Sequence, residues 1–331
     1  MTSTFGRRQF GTFVGLLALC ALLTILTPHF LTISNLLNIT EQTTINAVIS
    51  VGMTFVILSG GIDLSVGSIV AVAGVCLATA LQRHVPLPLA LAVALGVGAF
   101  CGLINGLLIT VGRLAPFIAT LGMMSIARGI ALLYTDGRPV SGFDASFRAL
   151  STARPLMIPG PVILMLVVYV IGHFVLTRTT FGRYVYAIGG NEEATRLSGV
   201  RVGIHKTLIY VIAGLTSGIA AIILTARLNS AQPIAGFMYE LDAIAATVIG
   251  GTSLLGGSGT LAGTLIGSLI MGVLRNGLNL LGISSFLQQV VIGSVIIAAV
   301  LLDGILNARA QRARARRTTA SAPPANVTTT V

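Results

Sequence analysis

RTTFGRYVYAIGGNEEATRLSGVRVGIHK, residues 178–206, is the longest polar segment between the apolar runs of this 331-residue chain. The flanking sequence is strongly apolar. Apolar residues make up 54% of the chain and charged residues only 9%. Because a soluble domain carries about a quarter charged residues, this composition predicts a polytopic membrane protein. Residues 178–206 then form a loop at the membrane surface.

The middle of this loop, residues 191–199, predicts one short amphipathic helix. Asn191 is suited to cap it by accepting hydrogen bonds from free amides, and Gly199 is placed to end it. Acidic residues lie in the first turn, where the helix dipole favours negative charge. The residues that we assign to this helix are Asn191, Glu192, Glu193, Ala194, Arg196, Leu197 and Gly199. A helix this short is not stable alone, so we expect a partner to dock on it.

Ten apolar runs have the length of about 20 residues that a helix needs to cross a bilayer. They lie at about 10–27, 44–60, 65–82, 87–110, 116–134, 159–177, 207–227, 241–256, 260–280 and 285–303. We interpret the first as a spanning helix, since it is long and no small-residue cleavage site follows it. The predicted fold is therefore all-α, with about ten transmembrane helices. Residues 1–9 form an N-terminal segment, 10–305 the transmembrane domain and 306–331 a basic tail that is too polar to fold alone.

The distribution of Lys and Arg predicts the orientation, because these residues are enriched in cytoplasmic loops. Both termini and the loop 178–206 are predicted to face the cytoplasm, although the loop 135–158 carries three arginines on the other side. The tail carries five arginines. We interpret it as an anchor attracted to anionic lipid headgroups rather than as a nucleic-acid-binding segment.

A faint repeat relates the two halves of the chain. Asn105-Gly106-Leu107 recurs as Asn276-Gly277-Leu278, and Asp63-Leu64-Ser65 pairs with Glu240-Leu241-Asp242. In the predicted topology the matched pieces have opposite orientation in the membrane, as in inverted-topology repeats that place a pathway at their interface. Chance similarity in a sequence built from few residue types explains the pattern equally well.

The sequence contains no recognisable catalytic constellation, metal site or cofactor motif. A phosphate-binding loop needs Gly-Lys-Ser/Thr, and in this chain His205 stands where the glycine before Lys206 must be. The three cysteines lie singly in apolar runs, which is typical of packing residues. The chain is therefore predicted not to be an enzyme. If it transports actively, the energy comes from another chain or from an ion gradient.

Polar residues in or beside the spans are candidates for a pathway or for helix caps. They are Asp63, Ser65, Asn105, Asn276, Asn279 and Gln288. For Asp63 we favour a helix N-cap over pore chemistry, because the preceding Gly60-Gly61 suits a helix start. We interpret Arg128 and Arg275 as interfacial residues or members of ion pairs.

Two motifs carry a resemblance to a known family. Glu193-Ala194-Thr195 with Gly199 resembles the EAA-x-x-x-G loop of ABC importer permeases, with Thr in place of the second Ala. YAIGGNEEATRLSGV at 186–200 and SGGIDLSVGS at 59–68 resemble the ribose-type branch of those permeases. The resemblance covers about residues 10–305.

This resemblance implies a permease subunit in the bacterial inner membrane that translocates a monosaccharide, a ribose-like pentose or a hexose. It implies that the helix at 191–199 couples the chain to a cytoplasmic ABC ATPase. It also implies a periplasmic sugar-binding protein and a second permease subunit, identical or different. An ABC permease for a nucleoside, a branched-chain amino acid or an autoinducer is the nearest alternative. An ion-coupled transporter using Asp63, Glu240 or Asp242, and a non-transport membrane scaffold, also stay open.

Overall fold

The computed structural model describes residues 2–320, with side chains described for residues 10–155, 157–301 and 304. Helices dominate it. They are α1 Thr2–Leu26, α2 Ile33–Leu58, α3 Val66–Gln82, α4 Leu87–Thr110, α5 Pro116–Thr135, α6 Ala145–Thr152, α7 Gly160–Arg178, α8 Thr180–Gly190, α9 Glu192–Leu197, α10 Val202–Leu228, α11 Tyr239–Ile249, α12 Leu261–Leu280 and α13 Ser285–Ala320. A 3₁₀ turn, Pro155–Met157, precedes α7. Two short strands, β1 Val140–Ser141 and β2 Ser230–Ala231, pair antiparallel and join the loop after α5 to the loop after α10.

An all-α polytopic membrane protein is confirmed, and each of the ten predicted spans overlaps a helix. Six of the described helices, α2, α4, α5, α7, α10 and α12, are long and apolar enough to cross a membrane. Shorter apolar helices lie at Phe10–Leu26, Val66–Gln82 and Ser285–Leu301.

The predicted helical span over 241–256 is wrong in its second half. Helix α11 has 11 residues and ends at Ile249, so it is only about 16 Å long, half of a bilayer core. Residues 250–260 that follow are irregular. Gly251 and Gly256 have φ of +91° and +85°, a conformation that other residues rarely adopt, so the glycines of this run permit the break.

The helices form an inner and an outer layer. In the apolar stretches of α2 and α10, 83% and 67% of the residues are buried. In those of α4, α5 and α7, only 22–28% of the residues are buried. Because the exposed faces of the outer helices are apolar, they are suited to contact lipid. Packing between α4 and α10 is unusually close: a Cβ atom on Gly98 or Gly214 would overlap the other helix's backbone. Such small-residue contacts hold membrane helices together.

The last helix extends further than the sequence analysis predicted. Helix α13 continues to Ala320, so residues 306–320 are helical where an unfolded tail was expected. Residues 306–320 are rich in Ala and Arg, which have high helix propensity. This propensity favours a helix although the segment is polar. The rest of the predicted tail, residues 321–331, lies outside the described residues.

Candidate functional site

The polar loop folds into α8 and α9, which meet at Asn191. The predicted cap is confirmed, because Oδ1 of Asn191 accepts a hydrogen bond from the backbone N–H of Ala194 at 2.9 Å. Glu192 and Glu193 lie in the first turn of α9, as predicted. Gly199 has φ of +84°, the left-handed conformation with which glycine ends a helix. The cap, the acidic first turn and the glycine that ends the helix depend only on neighbouring residues, so they can be recognised in the sequence.

Ion pairs stabilise α9 internally and attach it to α10. The guanidinium of Arg196 donates to Glu192 at 2.9 Å and to Glu193 at 3.1 Å. These exposed pairs contribute at most about 1 kcal/mol each. Glu192 also accepts from Nζ of Lys206 at 2.9 Å, and the Lys206 side chain is only 14% exposed. This contact was missed in the sequence analysis, and it attaches α9 to the first turn of α10.

The outer face of α9 is apolar at its centre and charged around it. Leu197 is 81% exposed, and Ala194 on the same face is exposed as well. Thr195, which occupies the place of the second Ala in the EAA pattern, points inward and is buried. Together with Ala194, the exposed Leu197 gives this six-residue helix a small apolar face that is suited to contact a partner.

Just before α9, three backbone segments meet in what we call the glycine junction, formed by Leu58, Gly189, Gly257 and Gly259. The N–H of Gly257 donates to the carbonyl of Leu58 at 2.9 Å. A Cβ atom on Gly189 would overlap that same carbonyl oxygen. The hydroxyl of Tyr186 donates to the carbonyl of Gly259 at 2.8 Å. Burial raises the pKa of Tyr186 to about 12. The end of α8 thus touches both the end of α2 and the irregular segment 250–260.

A buried polar cluster lies between the end of α2 and helices α3, α4 and α10. Oδ1 of Asp63 accepts hydrogen bonds from the backbone N–H of Ser65 at 2.8 Å and from its hydroxyl at 2.5 Å. Nδ2 of Asn105 donates to the same hydroxyl at 2.9 Å. The N-cap of α3 is Ser65, not Asp63, so the predicted role is corrected: Asp63 bonds the cap residue itself, two residues on. Among the described residues, Oδ2 of Asp63, Oδ1 of Asn105 and the hydroxyl of Tyr210 have no hydrogen-bond partner.

Replacement of Asp63 separates the hydrogen bonds from the charge. Asn keeps the acceptor Oδ1, whereas Leu leaves the N–H and hydroxyl of Ser65 without it, at about 1–3 kcal/mol per buried group. We therefore expect Asp63→Asn to retain much more transport than Asp63→Leu in an uptake assay on cells with equal amounts of inserted protein. Equal and complete loss in both variants would contradict the hydrogen-bonding role and assign function to the negative charge.

The other three candidates lie elsewhere and connect helices. The side-chain amides of Asn276 and Asn35 exchange hydrogen bonds at 2.8 and 3.1 Å and join α12 to α2. Nε2 of Gln288 donates to Oδ1 of Asn279 at 2.8 Å and joins α13 to α12. The six predicted residues therefore do not form one site: Asp63, Ser65 and Asn105 cluster, while the others act as polar contacts between helices.

The two arginines within the spans have different partners. Arg275 is a member of an ion pair, as predicted, with Asp242 at 2.7 Å. Arg128 donates to the backbone carbonyls of Pro233 and Ala235 at 2.8 and 2.6 Å and holds the loop that precedes α11. Asn46 also donates to Asp242, at 3.0 Å. This role of Asn46 was missed in the sequence analysis, because the two residues are 196 positions apart.

An all-α bundle with a lipid-suited outer layer, buried polar clusters between its helices and an ordered surface helix is a multi-pass membrane protein. The chain belongs to the family described as "Branched-chain amino acid transport system / permease component", whose family model matches residues 35–300. It is therefore a permease subunit located in the bacterial inner membrane.

Relatives match almost the whole chain. It is 50% identical over 294 residues to the ribose import permease protein RbsC of Escherichia coli K12, covering 88% of this chain and 92% of that one. The ribose import permease of Bacillus subtilis 168 is 53% identical over 298 residues, 89% and 92% of the two chains. The D-allose permease AlsC of Escherichia coli K12 is 41% identical over 301 residues, 90% and 92%. The resemblance to ribose-type permeases is confirmed. No solved structure matches the chain.

Proposed function

We propose that this chain is the membrane-spanning subunit of an ABC importer for ribose or a closely related monosaccharide. The observation that carries the proposal is its 50–53% identity to ribose import permeases over nearly the full length of both chains. Identity to the allose and arabinose permeases is lower, at 41%. Ribose is therefore favoured over allose, a hexose, and over arabinose, another pentose.

The partners that we propose follow from the exposed face of α9 and from the absence of a nucleotide-binding motif in the sequence. A cytoplasmic ABC ATPase docks on α9, with Leu197 entering its groove and the charged residues around it setting the orientation. Hydrolysis of ATP occurs in that partner, since the sequence has no phosphate-binding loop. A periplasmic binding protein delivers the sugar, and a second permease subunit completes the pathway. ATP binding moves α9, and the helices alternate access to the two sides of the membrane.

For the topology we propose ten membrane-inserted segments, with both termini and the loop 178–206 in the cytoplasm. The irregular segment 250–260 then completes the crossing that the short α11 begins. We also propose an inverted repeat. Ser65 contacts Asn105 in the first half, and Asp242, at the position that matches Ser65, contacts Arg275, the residue before Asn276, in the second half. The two contacts are related, although the partners differ by one position. The basic helix after residue 306 lies near anionic lipid headgroups.

Uptake into proteoliposomes tests the proposed function. The assembled transporter, with its ATPase and binding protein, is expected to accumulate radiolabelled ribose when ATP is supplied, and unlabelled ribose is expected to compete better than allose or arabinose. A complex with a Walker-lysine variant of the ATPase is the control and is expected to be inactive. Uptake that needs an ion gradient and not ATP would contradict the proposal and favour a secondary transporter.

A further inference from the structure

A small polar cavity lies between α2, α11 and α12, away from the glycine junction. Its volume is about 30 Å³, and it is lined by Gln42, Asn46, Asp242, Ser268 and Arg275 among others. A water molecule needs about 10–15 Å³, so the space suits one or two hydroxyl groups rather than a whole sugar ring. The Asp242 side chain is 3% exposed, whereas that of Arg275 is 42% exposed, so the cavity has an accessible side.

The hydrogen-bonding capacity of this cavity is only partly used. Oδ2 of Asp242 accepts from Arg275 and from Nδ2 of Asn46. Oδ1 of Asn46 is buried and has no hydrogen-bond partner within the described part of the chain. Guanidinium has five N–H donors, of which the bond to Asp242 uses one. Judged on the described residues, the cavity therefore offers an acceptor without a partner, Oδ1 of Asn46, next to guanidinium donors that Asp242 does not use.

This combination selects the chemistry of the ligand. Asp242 and Arg275 neutralise each other, so neither an anion nor a cation is favoured by net charge. An apolar group would leave Oδ1 of Asn46 unpaired, which costs free energy in a buried site. A hydroxyl group both donates and accepts and thus satisfies Asn46 and Arg275 together. A neutral polyhydroxylated molecule, such as a sugar, matches these requirements.

The position of the cavity in the bundle agrees with a place on the transport route. Asn46 lies 12 residues before Leu58 of the glycine junction, about 18 Å along α2. With a hydrocarbon core of about 30 Å and the junction on the cytoplasmic side, the cavity lies in the outer half. A sugar released by the binding protein reaches that half first.

We propose that this cavity is a sugar-contact site of the permease, in which Asn46 accepts a hydrogen bond from one substrate hydroxyl and Arg275 donates to the same group. The proposal rests on the proposed sugar-import function. It gives the permease its own contribution to selectivity, in addition to that of the binding protein. Asn46 acts as a specificity residue, and Asp242 positions both Asn46 and Arg275.

Deoxy analogues test this assignment. In proteoliposomes that contain the full transporter, uptake of ribose is compared with uptake of ribose analogues that each lack one hydroxyl. The same binding protein is used throughout, so its own preference cancels when the ratios for wild type and variant are compared. For one analogue, Asn46→Ala is expected to reduce the preference for ribose by about fivefold, the size of a lost hydrogen bond.

Ser34→Ala is the control, because Ser34 lies on the same helix, is exposed, and its hydroxyl donates only to Thr32 among the described hydrogen-bonding partners, and neither residue lines the cavity. It is expected to keep the wild-type preference. If Asn46→Ala transports ribose with every preference unchanged, the cavity holds water only and the assignment is wrong. If the wild-type transporter imports no sugar, the proposed function itself fails. If Asn46→Ala does not assemble, Asn46→Gln, which keeps the amide but displaces it, is expected to change the same ratio, and an unchanged ratio there contradicts the assignment.

Discussion

Gly189→Ala is expected to reduce sugar uptake by more than tenfold while the protein still inserts and still binds its ATPase. The added Cβ atom would overlap the carbonyl oxygen of Leu58 and lie 2.6 Å from the N–H nitrogen of Gly257. Both are backbone atoms, so no change of rotamer relieves the overlap. The end of α8 must separate from α2 and from the irregular segment 250–260. The docking face of α9 is unchanged, so movement of α9 no longer reaches the spans.

The chain provides a matched control for this prediction. Gly190 is the next residue of α8, and a Cβ atom there meets no atom of the described residues within 4 Å. Gly190→Ala is therefore expected to transport at close to the wild-type rate. Uptake and ATP hydrolysis are measured together in proteoliposomes, and Gly189→Ala is expected to hydrolyse ATP without accumulating sugar. Wild-type uptake in Gly189→Ala, or equal loss in the two variants, would show that the glycine junction does not transmit the motion.

Tyr186→Phe tests the same junction without adding an atom. It removes only the hydroxyl that donates to the carbonyl of Gly259. We expect a partial loss of uptake, smaller than that of Gly189→Ala, because the backbone contacts remain. A Gly189→Ala protein that fails to assemble therefore does not end the test. Full uptake in Tyr186→Phe would assign no coupling role to this bond.

Gly199→Val is expected to lower uptake sharply, together with substrate-stimulated ATP hydrolysis. Gly199 has φ of +84°, and no atom in the described part of the chain lies within 4 Å of its Cβ position, so the effect comes from backbone conformation and not from crowding. A β-branched residue is strained there by about 1–3 kcal/mol. Relief of that strain changes the direction in which the chain leaves α9 and tilts the helix away from its partner.

Gly199→Asn is the control, since Asn tolerates the left-handed conformation and is close to Val in size. It is expected to keep most of the uptake and most of the ATPase binding in a pull-down assay. Insertion should be normal in both variants, because the spans are not altered. Should the Val variant bind ATPase and take up sugar like the Asn variant, α9 would not be the element that couples the two proteins.

Local features of the fold were accessible from the sequence. Each predicted run overlaps a helix, because a crossing of the bilayer needs a long apolar run. The cap at Asn191 and the end at Gly199 depend on neighbouring residues only. The break after Ile249 was missed, because small and apolar residues are compatible with both a helix and an irregular segment. Asp63 was predicted as the N-cap in place of Ser65, because the motif contains both residues two positions apart and either type can cap a helix.

Contacts between distant parts of the chain were not accessible in this way. The pair Asn35–Asn276 joins residues 241 positions apart, and no periodicity in the sequence relates them. The glycine junction depends on backbone atoms that any residue supplies, and only the absence of a side chain at Gly189 marks it. The cavity beside Asn46 was not predicted either. In the sequence, Asp242 and Arg275 are two separate polar residues near the ends of spans, and nothing indicates that they form a pair.

Site-specific crosslinking at Leu197 tests most directly whether α9 is the docking element for a cytoplasmic ATPase. Cys20, Cys76 and Cys101 are first replaced, and a photoactivatable group is attached to Leu197→Cys in the assembled transporter. Phe174→Cys, which is 59% exposed on the outer layer, is the control. We predict that the ATPase is captured from position 197 and not from 174. We also predict that a membrane-impermeant thiol reagent added outside intact cells leaves Leu197→Cys unlabelled. Labelling from outside, or no capture of the ATPase from position 197, would contradict the proposed coupling and its orientation.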